Sequence, residues 1–592
     1  MTHPLINGST LFQAFNQGAK RVMDIRIELN DINVFPVADS DTGNNLASLM
    51  RSISSTNVND NASVNTTLIL VADKAIEGAK GNSGMIFAQY FNGIASSYNN
   101  LEDSLEYLVE SFHKAVDSAI SAVQNPQEGT ILTVMRIWAT SLKESFDQSS
   151  WEESLIVARD SAYESLQKTS KQHVIMKKHG VVDAGAMGFY EFVDGMTDSF
   201  IGKTYVATKH LENVDEIETI SHLENHGMDV PTFRYCMELT ISDVNNPNQF
   251  QEVLKPYGDS LVVIHGQSHS RVHIHTDQPQ DVIQALEPYG TINKTKADDM
   301  IQQYFDIYEN KEKIAIVTDS IADLPKSLIE KFNIHVIPLT VLVDTTEHLD
   351  KTTISNTKLI ELIRSEKHDI SSSQVNQNVL FRMLEQLENR YEKVVVITVA
   401  SAQSGSYNTI KNALRNYKGH LNIEVIDSKL NSLAQGILVK RAGEYVQNKV
   451  EWQTLVKQLR NDRKNIKIYV SVEDLDPIIK SGRIPQSLGK IAKRLGLKPI
   501  VVLDESGAGG LMSMGLTMKG NQKTIKKKVL KYKGQLEEIV LGYTSNPDTA
   551  HEWYDYFTNN NLKIDYVEET SSIVALSAGQ GATAVAILIK GE

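Results

Sequence analysis

Apolar residues recur at three- and four-residue spacing from Leu11 onward, in LFQAFNQGAKRVMDI, LEDSLEYLVESFHKAVDSAISAV and EESLIVARDSAYESL, and no convincing alternating segment interrupts them before about Ser199. That spacing marks one face of an amphipathic helix, so the pattern predicts an all-α domain over residues 1–200. The chain then turns polar and rich in Glu, His and Asn, which reads as a linker over 201–230. Pro231 opens TFRYCMELTI, an alternating run of β-branched and aromatic residues. Residues 231–300 read as strand, helix (NQFQEVLKPYG), strand (SLVVIHG), strand (SRVHIHT) and helix (PQDVIQALEPYG), a small α+β domain, with a charged linker at 301–312. From Lys313 the short apolar runs KIAIVTDS, VVVITVAS and IEVIDS each end in small polar residues and lead into helices. This is the rhythm of a parallel α/β sheet filling 313–592, with ligands expected at strand C-terminal ends.

Composition narrows the picture. A chain of 592 residues exceeds what one core organises, so it is multidomain. Acidic residues outnumber basic ones by 73 to 59, which argues against a nucleic-acid partner. The basic run KTIKKKVLKYK, Lys523 to Lys533, reads as a solvated helix face, with transient contact to a membrane surface as its alternative. The single cysteine, Cys236, cannot form an internal disulfide, the N-terminal segment lacks signal-peptide character, and no apolar run approaches membrane-spanning length; the expectation is a cytoplasmic protein.

The strongest chemical signal is NVFPVADSDTGNN, Asn33 to Asn45. Asp39 and Asp41 sit two apart in a turn that opens a helix: hard carboxylate oxygens suited to Mg²⁺, followed by Thr42, Gly43, Asn44 and Asn45 as donors for phosphate at the positive helix end. Local sequence alone favours an ordinary turn with an N-cap. Three further Gly-rich turns, EGAKGNSGM (Glu77 to Met85), NPQEGTILT (Asn125 to Thr133) and HGVVDAGAMGF (His179 to Phe189), add weight, since glycine clustered at helix starts suggests close backbone approach to a ligand.

These four segments, in this order, resemble the L-subunit (DhaL-like), ATP-binding domain of the dihydroxyacetone kinase family, and within it the bacterial fatty acid kinase branch. The resemblance implies an ATP-dependent kinase using magnesium. By it Asp39 and Asp41 hold the metal, with Asn33 as a further candidate ligand, and with Thr42 form the catalytic turn; Gly43, Asn44, Asn45, Gly81, Asn82, Ser83, Gly84 and Thr130 surround the phosphates, and Asp183 and Gly185 the nucleotide's other end. Ser40 stands where the family has glycine, and Lys80 where it has arginine.

His273 and His275, two apart on a strand, project from one face, and Cys236 on another strand can bring a thiolate to them, a set that suits zinc. Spacing alone favours a buried cysteine near two half-exposed histidines; a similar Cys and His-x-His arrangement in the fatty acid kinase middle domain is what implies zinc.

VTDSIADLP, ISSSQVN, VASAQSGSYN, VIDSKLNSLAQG, IKSGRIP and LKPIVVLDESG follow in the order of the DegV (EDD) family's motifs, which implies a two-lobed α/β domain binding one fatty acid. Ser404 and Gly405 match its Ser-Gly turn, Ser372 and Ser373 its Thr-Ser pair, and Arg483 its Gly-Arg turn. Ser577 stands where the family has a histidine, which removes a hydrogen-bond partner from the expected carboxylate network. Together the resemblances imply a kinase that phosphorylates the carboxylate of a fatty acid held by its own DegV domain, giving acyl phosphate and ADP, with a downstream acyltransferase acceptor and a homodimer through the helical domain. Two alternatives stand beside this: a lipid-binding or regulatory protein with weak or no kinase activity, and a small-molecule kinase of the dihydroxyacetone type.

Overall fold

The computed structural model describes residues 6–34, 41–98, 103–204, 230–266, 269–388, 390–473, 476–483 and 497–591, which form two compact units, Met1–Tyr304 and Phe305–Glu592. Asp39 and Ser40, most of the linker expected at 201–230, and the last residues of IKSGRIP lie outside the described residues.

The first unit opens with ten helices: α1 (Gly8–Asp24), α2 (Arg26–Asp31), α3 (Thr42–Ser54), α4 (Val64–Gly78), α5 (Gly81–Ser97), α6 (Leu105–Ser121), α7 (Ile131–Phe146), α8 (Trp151–Gln172), α9 (Val174–His179) and α10 (Ala184–Phe200). Their starts are chemically marked. The Asn7 side chain accepts from the Thr10 amide at 2.8 Å, and Ser150 with Glu153 forms a reciprocal capping box. The apolar stripes meet in an aromatic core in which Phe15, Phe87, Phe91, Trp138, Phe189 and Phe192 stack or meet edge to face, geometries that suit the ring quadrupoles.

Residues from 230 onward form an antiparallel sheet, β1 (Tyr235–Ser242), β2 (Asp259–His265), β3 (His269–Thr276) and β4 (Thr291–Asp299), in the order β2-β3-β1-β4. One face carries Met237, Leu239, Ile241, Val263, Val272 and Ile274 against α11 (Phe250–Leu254) and α12 (Pro279–Leu286). β4 corrects the sequence reading, which had no fourth strand. TINKTKADD places Lys294, Lys296 and Asp298 at alternate positions, so the strand lacks the apolar alternation that betrays one. At the linker expected over 301–312, Met300–Tyr304 is α-helical and Phe305–Glu309 a single wide turn of helix.

The second unit contains a four-stranded parallel sheet, β5 (Ile314–Asp319), β6 (Ile334–Ile337), β10 (Lys393–Thr398) and β11 (Asn422–Asp427), in the order β11-β10-β5-β6. Its strands are apolar on both faces: Ile316, Val395 and Ile397 enter one core and Ala315, Val317, Val394 and Val396 the other. Between these strands β7 (Thr340–Val343), β8 (Thr346–Leu349) and β9 (Ile370–Ser372) form a small antiparallel ribbon. A six-stranded mixed sheet follows, β12 (Ile466–Ser471), β13 (Lys498–Leu503), β14 (Gly509–Gly515), β15 (Leu536–Tyr543), β16 (Tyr566–Glu569) and β17 (Thr583–Ile589), in the order β14-β13-β12-β17-β15-β16. Helix Ser432–Gln447 contributes Leu433, Ile437 and Leu438 to a core shared with both sheets, which is why its sequence is apolar around most of its circumference. No helix among the described residues is long and apolar enough to cross a membrane.

Candidate functional site

In the first unit the helix starts singled out by sequence converge through a chain of contacts. Gly81, the first residue of α5, is left-handed (φ +59°), and a Cβ there would lie 2.4 Å from the Asn45 side-chain nitrogen on α3. Ser83 meets α10, since a Cβ on Gly185 would lie 2.6 Å from Ser83 Oγ. Asp183 Oδ1 accepts from the Ala186 amide at 2.7 Å and from the Ile131 amide at 3.1 Å, joining the start of α10 to that of α7. The starts of four helices, α3, α5, α7 and α10, are therefore linked in one region, and the partial positive charge of helix N-termini is an arrangement that attracts anions.

The individual residues divide. Asp41 stands at the N-cap of α3, its carbonyl accepting from the Asn45 amide at 2.9 Å while its side chain makes no cap hydrogen bond, and Thr42 follows it, buried. Asn82 Oδ1 is buried with no hydrogen-bond partner, an acceptor left over in the middle of the Gly-rich turn. Gly84 leaves ordinary space beside the Asn45 carbonyl. Asn33 is buried, its amide donating to the Asn30 carbonyl, and Asn44 is tied to α2, accepting from Arg26 at 2.7 Å while its amide donates to Asn30 Oδ1. Gly43 has a packing reason: a Cβ would sit 1.9 Å from the Arg26 carbonyl oxygen, so glycine lets α3 lie against α2. Thr130 is the N-cap of α7, and its hydroxyl donates to the Gln127 carbonyl. Asp183 is buried, and that burial pushes its carboxyl up to about 6 against the pull of its two backbone donors.

The polar face of the middle sheet belongs to the same unit. Cys236 pairs with His275 across β1 and β3, and Glu238 with His273, so all four side chains share one face. Cys236 Sγ lies 3.9 Å from His273 Nδ1, and the three ligand atoms of Cys236, His273 and His275 all fall within 4.8 Å of one another. Both imidazoles are buried, not half-exposed, and burial lowers them, His273 to about 3 with help from His275 and His275 to about 4, so both are neutral. His273 Nε2 has no partner. Burial pushes the Cys236 thiol well up, and neighbouring acids, Asp41 among them, add to the effect. Neutral imidazoles, an orphaned ring nitrogen and a thiol brought within a few ångströms fit a zinc-type cation, which would also reverse the penalty on the thiolate. Sequence reasoning missed Glu238, Arg271 and Lys296 on this face, since each reads in its own segment as an ordinary solvated charge.

In the second unit a cavity is lined by Ile468, Val470, Val472, Val501, Leu503 and Ile573 along its walls, with Ser372, Ser373, Gln403, Ser404, Arg483 and Ser577 supplying polar groups. Four of the five sequence-selected residues thus line one space. Gly405 does not; it opens helix Ser406–Ala413, and a Cβ there would lie 2.1 Å from Gln374 Oε1, which also accepts from Thr409. Arg483 donates to Ser577 Oγ at 2.7 Å, while that hydroxyl donates to the Ile573 carbonyl. The serine in place of the family's histidine therefore spends its proton on its own helix and orients a guanidinium. Gly579 and Gly581, both left-handed (φ +77° and +72°), form the turn that follows.

The first unit thus gathers polar and Gly-rich helix starts, and the second holds an apolar cavity that Arg483 and several hydroxyls also line. Residues 36–198 match the DAK2 domain, 232–307 the FakA-like middle domain of fatty acid kinase, and 313–590 the DegV family of uncharacterised proteins. The chain joins a kinase-type DAK2 domain, a FakA-like middle domain and a DegV region in one polypeptide. It is 30% identical over 354 residues to an uncharacterised protein of Staphylococcus epidermidis, covering 55% of this chain and 64% of that one. It is 29% identical over 355 residues to protein YloV of Bacillus subtilis, with the same coverage. The chain thus spans less than two thirds of the length of these relatives. Among solved structures, a fatty-acid-binding DegV family protein from Streptococcus agalactiae overlays 47% of this chain and 100% of its own at 23% identity and TM-score 0.44, and a DegV family protein from Thermus thermophilus does so at 22% and 0.44, covering 99% of its own.

Proposed function

We propose that the protein is an ATP-dependent kinase that phosphorylates the carboxylate of a fatty acid carried by its own DegV region, giving acyl phosphate and ADP. The observation that carries this reading is the convergence of the α3, α5, α7 and α10 N-termini beside Asp41, in a chain that also holds an apolar cavity lined in part by Arg483.

The chemistry makes modest demands. A fatty acid carboxylate, with a reference pKa of about 4, is ionised at neutral pH, so no general base is needed. Its oxygen attacks the γ-phosphorus, and the bond to the β-γ bridging oxygen breaks with ADP leaving in line. Asn45, Asn82, Ser83 and the helix-start amides bind and orient the phosphates, and their fixed dipoles stabilise charge on the transferring group. Asp41, with Asp39, would hold magnesium, which supplies charge neutralisation between the phosphates. Cys236, His273 and His275 would hold zinc, which ties β1 to β3. In the second unit Ser404, Ser372 and Arg483 would receive the carboxylate while the tail fills the slot, each buried methylene contributing about 0.8 kcal/mol. Carrying the acyl substrate on the same polypeptide replaces a bimolecular encounter by one at roughly millimolar effective concentration.

The test is fatty-acid-dependent ADP release. The purified chain should release ADP from Mg-ATP only when a long-chain fatty acid is present, and Asp41→Ala should reduce this at least about a hundredfold. ADP release equal with and without fatty acid, or released in response to dihydroxyacetone, would refute the assignment.

A further inference from the structure

The face of the middle sheet that carries Cys236 and the two histidines also carries a buried charged group that touches the Gly-rich turn itself. Glu238 Oε1 accepts a hydrogen bond from the Gly81 amide at 2.8 Å, across 157 residues of sequence. Glu238 is 6% exposed. Its cross-strand neighbour on β4 is Lys296, and Arg271 on β3 reaches its other oxygen at 3.6 Å. Arg271 also donates to the Ile76 and Glu77 carbonyls at the end of α4, immediately before the turn. Lys296 and Arg271 thus set positive charge beside the buried carboxylate.

The Gly81 amide is the first donor of α5, the group that a phosphate at this helix start would engage. Here a protein carboxylate already occupies it, and Gly81 is wedged in its left-handed conformation against Asn45. Asn82, with its unpartnered oxygen, and Ser83, which a Cβ on Gly185 would meet, follow that glycine directly in the chain.

We infer that Glu238 is a positioning residue of the nucleotide site: by taking the Gly81 amide it fixes the GNSG turn, removes that amide from phosphate binding, and sets the placement of Asn82 and Ser83 toward the phosphates. The inference rests on the kinase reading, and it makes the middle sheet a wall of the kinase site instead of an independent appendage.

The experiment compares full-length wild type, Glu238→Gln and Glu238→Ala in two measurements: hydrogen exchange of the peptide spanning Gly81 without nucleotide, and calorimetric binding of a non-hydrolysable ATP analogue with magnesium. Glu238→Ala should speed exchange at Gly81 and weaken the analogue about tenfold, and the isosteric Gln, which keeps an acceptor but no charge, should fall between. In turnover the KM for ATP should rise while the KM for fatty acid stays put, a split that general destabilisation does not produce. If the Ala variant fails to fold, the Gln variant decides. Unchanged exchange and unchanged analogue affinity in a folded variant overturn the inference. Faster exchange in a protein whose wild type binds no nucleotide overturns the kinase reading, and the positioning role with it, while leaving the Glu238 contact intact.

Discussion

At the scale of single residues, Asp183 and Arg483 make opposite uses of burial. Asp183 is a buried carboxylate whose oxygen serves two amides; an asparagine at that position offers the same oxygen without the charge. Its folded-state carboxyl sits at about 6, above the usual range near 3.8, so the folded protein binds this proton more tightly than the unfolded chain. The stability contributed by that proton is complete at low pH and is lost as pH rises from about 4 to about 6. Asp183→Asn should therefore be as stable as wild type or more so at pH 7, with an advantage that shrinks as pH falls toward 4. Asp183→Ala, which orphans two amides, should cost about 1–3 kcal/mol in denaturant melts. Arg483 is a cation held down by burial and steadied by the Ser577 hydroxyl. If it receives the acyl carboxylate, Arg483→Ala should weaken fatty acid binding about tenfold or more, and Ser577→Ala, which releases the guanidinium without removing it, by less. A fluorescent fatty acid displacement assay measures both.

At the scale of elements, what was legible in sequence depended on whether a residue's role follows its own segment's pattern. His273 and His275 could be read as partners because a strand repeats every two residues, and the structure puts Cys236 directly across from His275. β4 was not legible, because Lys294, Lys296 and Asp298 point along the polar face and imitate a surface segment. Glu238 was hidden for the same reason: a lone glutamate in YCMELTI reads as a solvated position until β3 and β4 bring Arg271 and Lys296 beside it. Gly43 reads in sequence as a phosphate donor, and the structure adds a packing constraint its own segment does not reveal, the Arg26 carbonyl on α2. If zinc ties β1 to β3, protein purified without chelator should contain about one equivalent by elemental analysis, and stripping it should lower the melting temperature. Cys236→Ser should lose both the metal and the response to chelator. Metal-free wild type would remove zinc from the account.

At the scale of the whole molecule, two units with separate cores carry two kinds of chemistry, a polar convergence of helix ends in one and an apolar slot in the other. The order of domains was readable because each kind of secondary structure has its own period. Placement within a site was less so, because it depends on contacts such as Asn45 with Gly81 and Asp183 with Ile131 between segments far apart in the chain. Asp41→Ala should abolish turnover and leave fatty acid binding within about twofold of wild type, because Asp41 and the residues lining the apolar cavity belong to different units.

The central claim is that acyl phosphate forms on this polypeptide. The direct measurement is to incubate the purified protein with Mg-ATP, a mixture of fatty acids and hydroxylamine, and to look for fatty acyl hydroxamates by mass spectrometry. The account predicts hydroxamates that require ATP and disappear in Asp41→Ala. Fatty acid retained by the protein with no hydroxamate formed would contradict it.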